Sequence, residues 1–146
     1  MSDKHTRIPD ATIVELAHER ETIRVLIEEV IDLAGKAGFS SSSCYAIRLA
    51  LVEGITNAFE HGHETVENDP PIRVEYRVTP EVVEVAIEDQ GPGFSPEDLP
   101  DPTLEENLSN PRGRGVMLMR AYMSDVVYNQ TGNRVKLRYE LPQKTN

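Results

Sequence analysis

Glu53-Gly54-Ile55-Thr56-Asn57-Ala58-Phe59-Glu60-His61 is the stretch on which the reading of this chain turns. Glu53, Asn57 and His61 recur at steps of four. At about 100° per residue an α-helix stacks such positions along one stripe. Ile47, Leu51, Ile55, Ala58 and Phe59 fall roughly on the opposite side, so the pattern predicts a helix from about Ser42 to Gly62. The serines Ser40 to Ser43 supply its N-cap. Two readings fit the stripe. It is either the solvated face of an amphipathic helix or the wall of a cleft. In a cleft, an Asn amide oxygen is a hard, neutral ligand suited to magnesium. A Glu one turn away can take a proton from an attacking hydroxyl or water.

Upstream, Ala11 to Ala17 reads as a first strand. A helical period runs from about Glu19 to Ala37, with Ile23, Leu26, Ile27, Val30, Ile31 and Ala34 on one face and Gly35 and Gly38 at its end. Downstream, Ile72 to Val78 and Val82 to Glu88 alternate as strands around a Thr79-Pro80-Glu81 turn. A long polar segment containing Pro92, Pro96, Pro100, Pro102 and Pro111 follows. Structureless segments of that length inside a domain are usually functional or disordered. Gly115 to Met123 reads as a short helix. Ser124 to Gln130 and Arg134 to Leu141 read as two last strands joined at Thr131-Gly132-Asn133. Helices covering one face of a largely antiparallel, mixed sheet make a two-layer α/β sandwich. The whole chain is expected to be one domain, with its core at about 11–141.

Two further motifs carry chemistry. Asp89-Gln90-Gly91-Pro92-Gly93-Phe94 directly follows a strand. It fits an ordinary glycine turn. It also fits a base-binding site: a carboxylate at a strand end accepts a hydrogen bond from the exocyclic amine of adenine, and repels the carbonyl that guanine carries there. The glycines let the backbone approach the ring. Arg112-Gly113-Arg114-Gly115-Val116-Met117-Leu118-Met119-Arg120 places glycines before a helix. The free N–H groups of a helix start attract phosphates. The alternative is a helix start with solvent-facing arginines.

Each motif is weak alone, but their order and their places on helix, strand end and helix start are informative together. Glu53-x-x-x-Asn57, Asp89-x-Gly91-x-Gly93 and Gly113-x-Gly115 resemble the N box and the two glycine boxes of the GHKL ATPase superfamily, which includes gyrase B and histidine-kinase catalytic domains. The compact RsbW-type branch of anti-sigma factor serine/threonine kinases is the nearest in pattern. The resemblance spans about Ala11 to Leu141 and implies a Bergerat-type ATP-binding fold. It implies that Asn57 binds Mg2+ bridging the phosphates of ATP, that Asp89 reads adenine, and that Gly91 and Gly93 shape its pocket. Gly113, Gly115 and Val116 would meet the phosphates at the helix, with His61 on the phosphate side. Residues 95–112 would form an ATP lid, and Glu53 would be the catalytic base. No lysine lies between Asp89 and Arg120, so a cation there must be an arginine, with Arg112 and Arg114 as candidates.

The implied activity is phosphorylation of a STAS-type anti-anti-sigma protein by a kinase that otherwise holds a sigma factor. The alternative is an ATP-binding anti-sigma or regulatory module without useful kinase activity. Homodimer formation is left open. In this branch the first helix contributes to the partner surface, so Arg24 is either a partner contact or an exposed arginine. Met117, Met119 and Met123 have the spacing of core residues, and Cys44 that of a packing residue.

Composition limits the alternatives. The chain has 146 residues, 38% hydrophobic and 27% charged, as soluble globular domains do. A net charge of −10 argues against non-specific nucleic-acid binding, which needs a basic footprint. It also requires that any polyanionic ligand meet local positive potential from N–H groups, arginines or a metal. The polar start lacks the apolar core of a signal peptide, and Cys44 is the only cysteine, so a reducing cytoplasm is expected.

Overall fold

A computed structural model of the protein describes residues 6–62, 70–90, 111–129 and 132–141, with 61–62 and 111–116 described as helical backbone. The elements run β1 (Thr12–Leu16), α1 (Arg20–Ala37), α2 (Ser41–Gly62), β2 (Ile72–Val78), β3 (Val82–Glu88), α3 (Pro111–Tyr122), β4 (Asp125–Tyr128) and β5 (Arg134–Glu140). The order matches the sequence reading. The five strands form one sheet in the order β1-β2-β3-β5-β4. Every pairing among them is antiparallel, so the expected mixed character of the sheet is not found among the described residues.

Local chemistry sets the helix ends. In α1, Gly38 adopts φ 110° and its N–H, with that of Phe39, returns to the carbonyls of Gly35 and Ala34. This is a Schellman stop, and a residue without Cβ takes the left-handed φ at least cost. Gly35, expected to share in ending the helix, lies inside it. At the start of α2 the Ser40 hydroxyl accepts the N–H of Ser43 at 3.1 Å, an N-cap bond. Ser43 is itself buried and accepts a hydrogen bond from the Tyr139 hydroxyl at 2.8 Å, which ties the helix start to β5. The third helix begins four residues earlier than expected. Pro111 occupies its first position, where a missing N–H costs nothing and φ is already helical.

Cross-strand register sorts the sheet into two faces. Val74, Ile87, Val135 and Tyr128 form one row across β2, β3, β5 and β4, and Tyr76, Val85 and Leu137 form the next. These rows meet Leu26, Ile27, Val30 and Ala34 of α1 and Ile47, Leu51, Ile55 and Phe59 of α2 in a single core. Truncating one such fully buried side chain, Leu51→Ala for instance, costs about 2–5 kcal/mol. Burial, and then its bond to Glu29 of α1, pushes the Tyr76 phenol up to about 12. Met119 and Met123 join the core as expected, whereas Met117 is exposed.

The opposite face is polar yet partly covered. Arg134 donates to the Thr6 carbonyl at 2.8 Å and to the Thr6 hydroxyl at 3.2 Å, and pairs with Glu75 and Glu88. Lys136 reaches Glu84 at 2.9 Å. Thr6 and Ile8 are buried, so the segment around them straps this face. A buried guanidinium needs this many acceptors to offset its desolvation.

Candidate functional site

α2 packs over Ile87 of β3 and Leu137 of β5 at Gly54, with Met119 of α3 beside them. Between them lies a shallow cleft of about 20 Å³, or about 320 Å³ with the open solvent at its mouth counted. Its lining joins Gly54, Asn57 and Ala58 of α2, Met119 of α3, and Asp89 and Asn133 at neighbouring strand ends. The two strand ends are held together. The N–H of Asp89 donates to the Asn133 carbonyl at 2.9 Å, one step beyond the last β3–β5 ladder pair.

Gly54 makes the close approach of α2 possible. A Cβ built there would lie 2.7 Å from Ile87 Cδ1 and 3.4 Å from Met119 Sδ. Any larger residue would have to push the cleft floor away. One turn on, Asn57 is half-buried and directed along the cleft wall, with no side-chain hydrogen bond among the described residues. Glu53, one turn earlier on the same stripe, is half-buried too and forms no ion pair among the described residues. Half-buried polar groups are normally satisfied by protein, water or ligand.

The sequence candidates thus divide. Asn57 and Asp89, distant in sequence, line one cleft, with Glu53 a turn away. His61 lies in the last turn of α2. Arg112, Gly113, Arg114, Gly115 and Val116 all lie inside α3 rather than partly before it, because the helix starts at Pro111. The N–H groups of Arg112 and Gly113 therefore belong to the first turn, where an α-helix leaves donors without intrahelical acceptors. Gly91, Gly93 and the expected lid up to residue 110 lie outside the described residues. Arg24 sits on the solvent side of α1 and pairs with Glu21 of its own helix. Cys44 packs against the core, its thiol 3.8 Å from the Phe39 carbonyl. No group of three metal-ligating His, Cys, Asp or Glu occurs among the described residues. No helix of the described residues is long and apolar enough to cross a membrane.

Sequence reasoning missed Gly54, Tyr128 and Asn133. Gly54 stood inside the most informative stretch, and an uncapped glycine in a long helix was the available signal of a close approach. Tyr128 and Asn133 carry no local signal. They reach the cleft only through the pairing of β4, β5 and β3.

Chemically, the cleft combines the apolar side chains of Ile87, Val135, Tyr128 and Met119 with the polar residues Asp89, Asn133 and Asn57. Apolar walls with a few polar groups are the usual composition of a small-molecule site. Asn57 alone is too little to hold a cation. As one hard oxygen it fits magnesium whose other ligands are phosphate oxygens and water.

Comparison with known proteins identifies the family of the chain. The family model of the histidine kinase-like ATPase domain matches residues 15–139. The serine-protein kinase RsbW of Oceanobacillus iheyensis is 32% identical over 107 residues, covering 68% of this chain and 67% of that protein. The proteins of the same name from Listeria innocua and Bacillus licheniformis are 31% and 26% identical, each over 64% of this chain and 63% and 62% of their own lengths. The chain thus matches a little under two thirds of those last two relatives. With the model spanning all but the two ends of the chain, from β1 to β5, the protein belongs to the histidine kinase-like ATPase domain family.

Proposed function

We propose that the protein is a cytoplasmic, magnesium- and ATP-dependent serine/threonine protein kinase. In this reading it holds a sigma factor and phosphorylates a STAS-type anti-anti-sigma partner. The observation that carries it is the cleft that brings Asn57 of α2 and Asp89 of β3's end together, with Glu53 one turn from Asn57. The name shared by the relatives, serine-protein kinase, supports the reaction class.

Each residue then has a role. Asp89 accepts the adenine amine. Ile87, Val135 and Met119 enclose the ring and exclude water. Asn57 would hold magnesium through its amide oxygen, and the metal would supply charge neutralisation for the phosphates. The N–H groups at the start of α3, with Arg112 and Arg114, meet the phosphates of an otherwise acidic protein. Glu53 takes the proton of the acceptor serine as its oxygen bonds to the γ-phosphorus and ADP leaves. Positioning and charge neutralisation supply most of the rate enhancement in such transfers.

The test is transfer of label from γ-labelled ATP to a purified STAS-domain protein from the same genome, with its serine intact or replaced by alanine. Label that needs magnesium, the serine and Glu53 supports the kinase. ATP binding without any transfer would leave an ATP-binding regulatory module. Phosphate release without label on the acceptor would mean a hydrolase.

A further inference from the structure

The segment before β1 straps the polar face of the sheet, and its anchor is a residue that also borders the cleft. Thr6 and Ile8 are 1% and 4% exposed, and Ala86, on the polar face of β3, is fully buried. Ile8 and Ala86 stand outside the main core, so the strap buries apolar surface on the second face of the sheet. Two cations of β5 hold it by its backbone. Arg134 donates to the Thr6 carbonyl at 2.8 Å, and Lys136 to the Arg7 carbonyl at 3.3 Å. Arg134 also donates to the Thr6 hydroxyl at 3.2 Å and to the carboxylates of Glu75 and Glu88. The strap turns into β1 through Asp10, which takes φ 57°, a left-handed conformation that Asp tolerates better than most residues.

Arg134 stands directly behind both strand ends of the cleft. It follows Asn133 in the chain, and its partner Glu88 precedes Asp89. The N–H of Asp89 donates to the Asn133 carbonyl, and Asp89, Asn133 and Arg134 all border the cleft. The Arg134 side chain is only 12% exposed, so its charge depends on the acceptors around it. Two of the four named here, the Thr6 carbonyl and hydroxyl, belong to the strap. When the strap lifts they leave with it, and the guanidinium must turn to water or to its two carboxylates. The Asp89–Asn133 bond then loses its fixed support.

We propose that Arg134 is a positioning residue through which docking of the strap and occupation of the cleft favour each other. The strap sets how firmly the two strand ends are held. Docked and lifted straps are then two states of the protein with different affinity for the ligand of the cleft. Linkage makes the effect reciprocal: a ligand holds the strap down by the same factor by which the docked strap raises its affinity. With ADP as the ligand, this rests on the nucleotide site proposed above. The effect of the strap on the Asp89–Asn133 bond does not depend on that site.

Three measurements on the intact chain test it, with Ile8→Glu to lift the strap and Ile8→Leu as the conservative control. A carboxylate at a buried apolar position favours the lifted strap and leaves the sheet unaltered. Trypsin cleavage after Arg7, identified by product mass, reports lifting and should be faster in Ile8→Glu alone. Amide exchange by NMR should then speed up at Asp89 about fivefold or more relative to Val85 and Leu137, in the middle of the same two strands. A general loss of stability would speed all three alike. Calorimetry should show ADP binding weakened about fivefold or more in Ile8→Glu and unchanged in Ile8→Leu. In the unmodified protein, saturating ADP should slow cleavage after Arg7 by the same factor. Exchange at Asp89 that merely follows Val85 and Leu137 would overturn the proposal. So would cleavage after Arg7 that ADP leaves unchanged while calorimetry shows it bound, a result that needs no variant. Cleavage no faster in Ile8→Glu would overturn it as well, since the strap would not be separable from the sheet. Failure to bind ADP at all is a different outcome: the nucleotide site falls, and exchange at Asp89 alone decides the role of Arg134.

Discussion

The first two helices differ in how their polar faces are handled. In α1 the exposed charges are compensated on the helix. Arg24 pairs with Glu21, and Lys36 lies 3.9 Å from Asp32 one turn away. Glu28 reaches across to Arg48 of α2. These are surface pairs that water could replace. In α2 the polar stripe of Glu53 and Asn57 has no such partners among the described residues, and the helix packs against α1, α3 and the sheet. Its solvent side is elsewhere: Val52, Thr56 and Glu60 are exposed, whereas Glu53 and Asn57 are half-buried. Asn57 lines the cleft. What packs around each helix, rather than its polar pattern, separates a solvated face from a cleft wall.

Breaking the α2 stripe should have the largest consequences. Glu53→Gln keeps shape and removes the basic oxygen. It should lower phosphoryl transfer to the acceptor by about 10²- to 10⁴-fold. ATP affinity should stay within about twofold, since the side chain is not asked to bind nucleotide. Single-turnover transfer and calorimetry on the same preparation check this. Unchanged transfer would remove Glu53 from the chemistry.

Gly54→Ala asks whether the cleft depends on the close approach of α2. Helix propensity favours alanine by up to about 1 kcal/mol. Against it stands a Cβ 2.7 Å from Ile87 Cδ1, in a core with little room to give. Overpacking of this kind costs about 1–3 kcal/mol. Denaturant unfolding should show a net loss of stability, with weaker nucleotide binding as Ile87 is pushed into the slot. A gain in stability with unchanged binding would show that the helix can lift without cost.

Sharpening the comparison from the α1 side should give the smallest effect. The Arg48 guanidinium, by its hydrogen bond, holds the Glu28 carboxyl below the usual carboxylate range. A group with a lowered folded pKa stabilises above its unfolded pKa, and that contribution is lost as pH falls through the folded value. The Tm difference between the unmodified protein and Glu28→Gln should therefore be small near neutral pH. It should shrink toward acid and with added salt. A large, salt-insensitive difference would mean that α1 is not merely a solvated face there.

Much of this was legible in the sequence, for identifiable reasons. The alternation in Ile72–Val78 and Val82–Glu88 sets both strands to the residue, because one face of the sheet is apolar and the other charged. The apolar set of α2 is buried as its period required. Misreadings came where a local signal has two meanings. Pro111 looks like a loop residue yet opens a helix, and so Arg112 to Gly115 moved inside α3. Gly35 looks like a helix end yet only Gly38 takes positive φ. Met117 has core spacing but falls on the exposed side of α3. Other features are tertiary and leave no local trace. Thr6 is buried where Arg134, far along the chain, donates to its carbonyl and hydroxyl. Asn129 and Asn133 meet only when the last hairpin closes.

The central claim is that the stripe of α2 and the end of β3 form one site for magnesium and ATP. Calorimetric titration with ATP and with GTP, each with and without magnesium, tests it most directly on the unmodified protein, Asn57→Ala and Asp89→Asn. The account predicts magnesium-dependent binding of ATP and little binding of GTP. Asn57→Ala should lose about tenfold or more and most of the magnesium dependence, as expected for one contact to a charged group. Asp89→Asn should weaken ATP binding and narrow the gap to GTP. Absence of ATP binding by the unmodified protein, or binding that neither substitution changes, would contradict it.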